Sequence, residues 1–241
     1  MKIHNFSAGP AILPEEVLRK ASEAVKNYQD KGLSLIEVSH RGPEFVEVME
    51  RARQLVYELS GLSKDEYEVL YLQGGASMQF YMSALNLLSD SGYAAYVDTG
   101  TWASKAIKEA KRIGRVEVIG SSADKKYTYL PKIEVPGDAD YLHFTSNNTI
   151  YGTQYQEFPE AKCPLVCDMS SDMFSRPFDA EKFDLIYAGA QKNIGPAGTT
   201  LVIVKKSALG KSGREIPTML DYKCMPQKTP CSTLRLFLPY T

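Results

Sequence analysis

Five short segments carry residue types that could do chemistry. The most informative is YAGAQKNIGPAGTTLVIV, residues 187–204. An apolar run ends in small residues, and Gln191 and Lys192 follow. Gly195, Pro196 and Gly198 then turn the chain into a second apolar run. A lysine crowded by small residues at a strand end is partly desolvated. Desolvation disfavours the ammonium form, so the amine becomes nucleophilic enough to form a Schiff base with a carbonyl. A surface lysine in a hairpin has the same spacing.

The second segment is LQGGASMQF, residues 72–80. Gly74 and Gly75 permit a tight turn, and Ala76 and Ser77 then open a helix. Free N–H groups at such a helix start can hold a phosphate. An ordinary strand-to-helix turn looks similar. In PLVCDMSSD, residues 164–172, an apolar strand ends in Asp168. That carboxylate could pair with a protonated pyridine nitrogen, cap a helix or bind a metal. In VDTGTWAS, residues 97–104, Trp102 is the one tryptophan of the chain and follows a strand and a glycine. It could stack on a flat ring or pack in the core. In SHRGPEF, residues 39–45, His40 and Arg41 precede a Gly-Pro helix start. Arginine suits bidentate binding of carboxylate or phosphate, though a charged loop reads alike.

The elements between these segments must position them. Residues 14–28 and 44–60 carry apolar residues at helical spacing, and Gly61 is a natural stop for the second. Apolar runs at 67–72, 93–98, 116–120, 141–146, 164–170, 183–190 and 200–206 read as strands. Several are too continuous for strands with one wet face. They are predicted to be buried strands of a mainly parallel sheet flanked by helices, an α/β fold. Ligands of such sheets bind at strand ends, where four of these five segments fall; SHRGPEF precedes a helix instead.

The whole chain has 241 residues, a formal net charge of −1, 44% hydrophobic residues and 24% charged residues. These values suit a globular domain with a sizeable core. The charge balance argues against a nucleic-acid partner. No apolar stretch is long enough to span a membrane, and the first residues lack the apolar run of a signal peptide, so a cytoplasmic location is expected. Cys163, Cys167, Cys224 and Cys231 lack zinc-site spacing. They read as reduced structural thiols, and no metal is expected.

Together the segments resemble phosphoserine aminotransferases, pyridoxal-phosphate enzymes of class V. The resemblance rests on NFSAGPAILP at 5–14, SHRGPEF at 39–45, GGASMQF at 74–80, DTGTWAS at 98–104, SNNTIYGTQY at 146–155, CDMSSDMFSRP at 167–177 and GAQKNIGPAG at 189–198. It implies an aspartate-aminotransferase-like large domain over residues 1–222, with residues 1–14 as an N-terminal arm. It also implies pyridoxal 5'-phosphate as cofactor. Lys192 would bind the cofactor and shuttle a proton, Asp168 would pair with the pyridine nitrogen, and Trp102 would stack on the ring. Ala76, Ser77 and Gln191 would hold the phosphate, and Thr149 would bond the ring hydroxyl. His40 and Arg41 would meet anionic groups of the substrate. The implied reaction is reversible amino transfer from glutamate to 3-phosphohydroxypyruvate, giving O-phosphoserine and 2-oxoglutarate, in serine and in some cases pyridoxine synthesis. A homodimer is implied as well.

The chain departs from that pattern at its end. The family continues into a second, smaller domain, which is expected to be missing here. Residues 223–241 have no clear period and finish no element. Back-translated and read one base earlier, CSTLRLFLPYT can encode Met-Phe-Asn-Thr-Pro-Pro, a family segment absent from this chain. Residues 223–241 are therefore expected to be an out-of-frame tail, and the chain to have weak or no activity. DNA around codon 223 without such an alternative frame would exclude the frame reading. The remaining alternatives are another enzyme of this fold, such as a cysteine desulfurase or an alanine–glyoxylate aminotransferase, and a non-catalytic fragment that binds cofactor or dimerises.

Overall fold

A computed structural model describes residues 3–225. Of the predicted tail it covers only 223–225, so residues 226–241, Cys231 among them, lie outside the described residues.

The chain begins with an extended arm and helix α1 (Glu15–Lys26). Helix α2 (Pro43–Ser60) follows, with proline in its first turn, where no amide donor is needed, and Gly61 at φ 72° closing its end. Strand β1 (Tyr67–Leu72) leads into α3 (Gly75–Leu87), and β2 (Tyr93–Asp98) into α4 (Thr101–Ala110). Then come β3 (Arg115–Ser121), β4 (Tyr141–Thr145) and a short hairpin of β5 (Asn147–Asn148) and β6 (Thr153–Gln154). Strands β7 (Leu165–Asp168), β8 (Leu185–Gly189) and β9 (Thr200–Lys205) complete the order.

Seven strands form one sheet in the order β1-β9-β8-β7-β4-β2-β3. The pairs β8–β7, β7–β4, β4–β2 and β2–β3 are parallel. Strand β9 is antiparallel to both β1 and β8, so β1 points the same way as the parallel set. The sheet is thus mainly parallel, as predicted, with one reversed strand that the continuous apolar run at 200–206 does not reveal.

The run at 116–120 departs from the prediction of a buried strand. It lies in β3 at the sheet edge, where Val118 is 44% exposed. The central strands β4, β7 and β8 are buried throughout.

One face of the sheet packs on α3 and α4, through Phe80, Ala84, Leu87, Ala106 and Ala110. The other carries Val56 of α2 and the interlocked rings of Phe144, Phe158, Phe178 and Phe183. Two layers on a twisted sheet leave the strand ends as open ground for a site.

Candidate active site

The same-direction strands β1, β2, β4, β7 and β8 each end just before one of the predicted site segments. Leu72 precedes Gly74–Ser77, Asp98 precedes Trp102, and Thr145 precedes Thr149. Asp168 ends β7 itself, and Gly189 precedes Gln191 and Lys192. Strand β9 runs the other way and supplies none. The sheet therefore gathers residues more than a hundred positions apart at one edge.

Lys192 sits in the loop joining β8 to β9. The loop is stapled by Gly195 N–H donating to the Ala190 carbonyl at 2.8 Å. The Asn193 amide also donates to the Met173 carbonyl at 2.7 Å. So the lysine does lie in a hairpin, yet it is not a surface residue. Its Nζ donates to Thr149 Oγ1 at 2.6 Å and to Ser171 Oγ at 2.9 Å. It lies 5.9 Å from the centroid of the Trp102 ring. Burial pushes its pKa below the usual lysine value, opposed by the charges of Asp168 and Asp172.

Asp168 is buried, at 4% exposure. Burial raises its pKa, while hydrogen bonds from the side chain and backbone of Ser170 and the charge of Lys192 pull it back. Ser170 donates to Oδ1 twice, from N at 2.9 Å and from Oγ at 2.6 Å. Ser170 Oγ in turn accepts from Gly189 N at 3.0 Å, tying β7 to β8. Among the described residues Oδ2 receives no donor. A buried carboxylate with one oxygen held and one open fits a cationic or N–H partner better than solvent.

Helix α3 starts on two left-handed glycines, Gly74 at φ 87° and Gly75 at φ 63°. Among the described residues no side chain caps it, so amide donors of its first turn, at Ala76 and Ser77, are available to an anion. A Cβ at Gly74 would lie 2.5 Å from that of Met78, so the turn needs glycine on steric grounds too. Trp102 sits in the first turn of α4, packed on the α3–α4 core, and its buried Nε1 has no partner among the described residues. Lys105 lies over the same ring at 4.5 Å.

Thr149 is at the tip of the β5–β6 hairpin, which is braced on several sides. Asn148 donates to Thr153 Oγ1 at 3.0 Å, Gln154 donates to Asp172 Oδ2 at 3.1 Å, and the Tyr151 hydroxyl bonds Thr101 Oγ1 at 3.1 Å. Gln191 lies beside Lys192, with its side chain folded over Gly189, where a Cβ would meet Gln191 Oε1 at 2.8 Å.

His40 and Arg41 are not joined to this cluster by any recorded contact. They precede α2, Arg41 is exposed, and His40 has a buried Nδ1 without a partner among the described residues. Ser170, Ser171 and Asp172 were not singled out from sequence. Nor was the arm's place in the site: Ala11 N–H donates to the Gln191 carbonyl at 2.8 Å, and a Cβ on Gly9 would lie 3.2 Å from Lys192 Cγ. The sequence signal for the arm is the resemblance segment NFSAGPAILP at 5–14.

A strand-end lysine, a buried carboxylate, an uncapped glycine-started helix and a flat indole define the site. The class-V aminotransferase family model matches residues 3–220, and the chain belongs to that family. Among curated relatives, the phosphoserine aminotransferase of Flavobacterium johnsoniae is 63% identical over 223 residues, covering 92% of this chain and 63% of that protein. That of Parabacteroides distasonis is 57% identical, with 92% and 62% coverage. The solved phosphoserine aminotransferase from Bacillus circulans subsp. alkalophilus superposes with a TM-score of 0.88 at 48% identity, over 92% of this chain and 63% of that one. The pyridoxal-phosphate-bound enzyme from Trichomonas vaginalis gives 0.85 at 34% identity, over 94% and 64%. The chain thus spans somewhat under two thirds of the length of these relatives.

Proposed function

We propose that residues 1–222 form the cofactor-binding domain of a phosphoserine aminotransferase. The single observation that carries this reading is the meeting of Lys192, Thr149 and Asp168 at one edge of the sheet. The residues present fit pyridoxal 5'-phosphate by the chemistry of their donors. Lys192 offers a partly dry amine for its carbonyl. Asp168 offers the free Oδ2 for its ring nitrogen. The amides of Ala76 and Ser77, with Gln191, suit its phosphate. Trp102 suits its ring face, and Thr149 its ring hydroxyl.

The bound cofactor supplies an electron sink for a carbanion at the substrate's α-carbon. The protein does the rest. Lys192 Nζ, its proton affinity lowered by burial and held by two hydroxyls, would take a proton from that carbon and deliver it to the cofactor. Asp168, whose raised pKa is pulled back by the Ser170 hydrogen bonds, would pair with the ring nitrogen and favour its protonated form. His40 and Arg41 are proposed to meet the anionic groups of glutamate and O-phosphoserine, which amino transfer to and from 3-phosphohydroxypyruvate requires. The curated relatives support that substrate pair, and hence a place in serine synthesis, with pyridoxine synthesis as a second use.

The apolar surface of the arm and α1 supports a homodimer. Phe6, Ile12 and Leu18 are exposed, and α1 buries no residue. No described helix is long and apolar enough to cross a membrane, and we place the protein in the cytoplasm.

The test is to load the purified chain with pyridoxal 5'-phosphate and follow absorbance as O-phosphoserine or alanine is added. Conversion to the pyridoxamine form by O-phosphoserine alone supports the assignment. Conversion by alanine alone would replace it with another aminotransferase of this fold. Cofactor binding without conversion by either would reduce it to a cofactor-binding fragment.

A further inference from the structure

Resting on the reading of Lys192 as the cofactor lysine, we propose that Ser171 is a positioning residue for it. With Thr149 it forms a two-hydroxyl cradle that holds the free amine in both its protonated and its neutral form.

The geometry is a closed triangle. Nζ lies 2.6 Å from Thr149 Oγ1 and 2.9 Å from Ser171 Oγ, and the two hydroxyl oxygens are 2.6 Å apart. Each hydroxyl is one donor and an acceptor, and its hydrogen turns freely. In the ammonium form, Nζ donates to both oxygens, and one hydroxyl donates to the other. In the neutral form, the Ser171 hydroxyl turns its hydrogen onto the nitrogen lone pair. Nζ then donates to Thr149, and Thr149 donates to Ser171, which completes a ring of three hydrogen bonds. The proton that leaves Nζ passes to solvent, each hydroxyl keeps its own hydrogen, and no heavy atom has to move. A carboxylate in the place of either hydroxyl would fix the ammonium form.

The charged groups around the amine act only through space. Asp168 at the end of β7 and Asp172 in the following turn both favour the ammonium form. Lys105 shares the Trp102 ring from 4.5 Å. Among the described residues no ion pair reaches Nζ, so the two hydroxyls are its only direct polar partners. The two serines after Asp168 are therefore divided in role: Ser170 turns to the carboxylate and Ser171 to the amine.

The test uses the full chain without cofactor, so its outcome is separate from that of cofactor binding. Trace acetic anhydride labels lysines across a range of pH, and mass spectrometry of the Lys192 peptide gives the midpoint of its titration. Ser171→Ala removes one acceptor from the ammonium ion. The ammonium form loses a charge-assisted bond and the neutral amine only a weaker one, so the midpoint is expected to fall by about one pH unit, the scale of the difference between the two bonds. Ser171→Thr keeps the hydroxyl and is expected to keep the wild-type midpoint. A Ser171→Ala midpoint equal to wild type would overturn the proposal. So would a Ser171→Ala chain that does not fold beside a Ser171→Thr chain that does, because the hydroxyl would then serve the loop and not the amine.

Discussion

Among the described residues Lys192 has no counter-ion in contact, and its amine is held by two hydroxyls instead. Its pKa is lowered by burial, so the folded amine sheds its proton before an unfolded lysine does. Stability from this group is complete above 10.5, the ordinary value, and is lost as pH falls through the lowered one. Lys192→Met is therefore expected to stabilise the cofactor-free chain near neutral pH, with the gain shrinking as pH approaches 10.5. Urea midpoints at the two pH values check this. Ser170 is the second test at this scale. Ser170→Ala removes a bond to a buried carboxylate and leaves Gly189 N–H without its acceptor. A loss of about 1–3 kcal/mol is expected by urea unfolding. The strand-end positions of Lys192 and Asp168 were legible because each follows an apolar run that has to end in something. Ser170 and Ser171 were not. Consecutive serines carry no periodicity, and only the loop geometry decides that one faces the carboxylate and the other the amine.

At the scale of elements, two glycines separate a site role from a structural one. Gly61 and Gly74 are both left-handed, at φ 72° and 87°. A methyl on Gly61 meets nothing within 4 Å, while one on Gly74 runs into Met78. Gly61→Ala is expected to destabilise by about 1 kcal/mol, the backbone term alone, and to leave cofactor affinity unchanged. Gly74→Ala adds a clash at the head of α3 and is expected to weaken cofactor binding at least tenfold, roughly 1.4 kcal/mol or more. Thermal unfolding and a cofactor titration on both variants measure the contrast. Helices α1 and α2, the start of α3 and most strands were legible from period and punctuation, while α4 was not. The reversal of β9 was not, because an apolar run reads the same in either direction. The edge position of β3 was missed because Val116, Val118 and Ile119 look like core residues until their neighbours are known.

On the scale of the whole molecule, α3 is pinned by buried polar groups from distant parts of the chain. Gln79 accepts from the hydroxyl of Tyr222, and Asn86 bonds the backbone at both Leu220 and Tyr222. Tyr222→Phe would strand the buried Gln79 oxygen, with an expected loss of about 1–3 kcal/mol in urea unfolding. Beneath the same helix His143 bonds the Tyr187 hydroxyl at 2.8 Å and stacks on Tyr96. Burial pushes its pKa down to about 3 from the ordinary 6.5. The stability tied to its neutral form is present above 6.5 and is lost as pH falls through about 3. His143→Gln is expected to flatten the acid side of the stability curve relative to wild type, measured by urea unfolding across that range. None of this tyrosine–histidine packing was legible in the sequence. Alternation places these residues on a shared face, but only the strand order sets them side by side.

The most direct measurement is an absorbance titration of the purified chain with pyridoxal 5'-phosphate, run beside Lys192→Ala. A band of lysine-bound cofactor in the wild type, absent from the variant, is the predicted result. The same band in both chains would contradict the assignment of Lys192, because the cofactor would then be attached elsewhere.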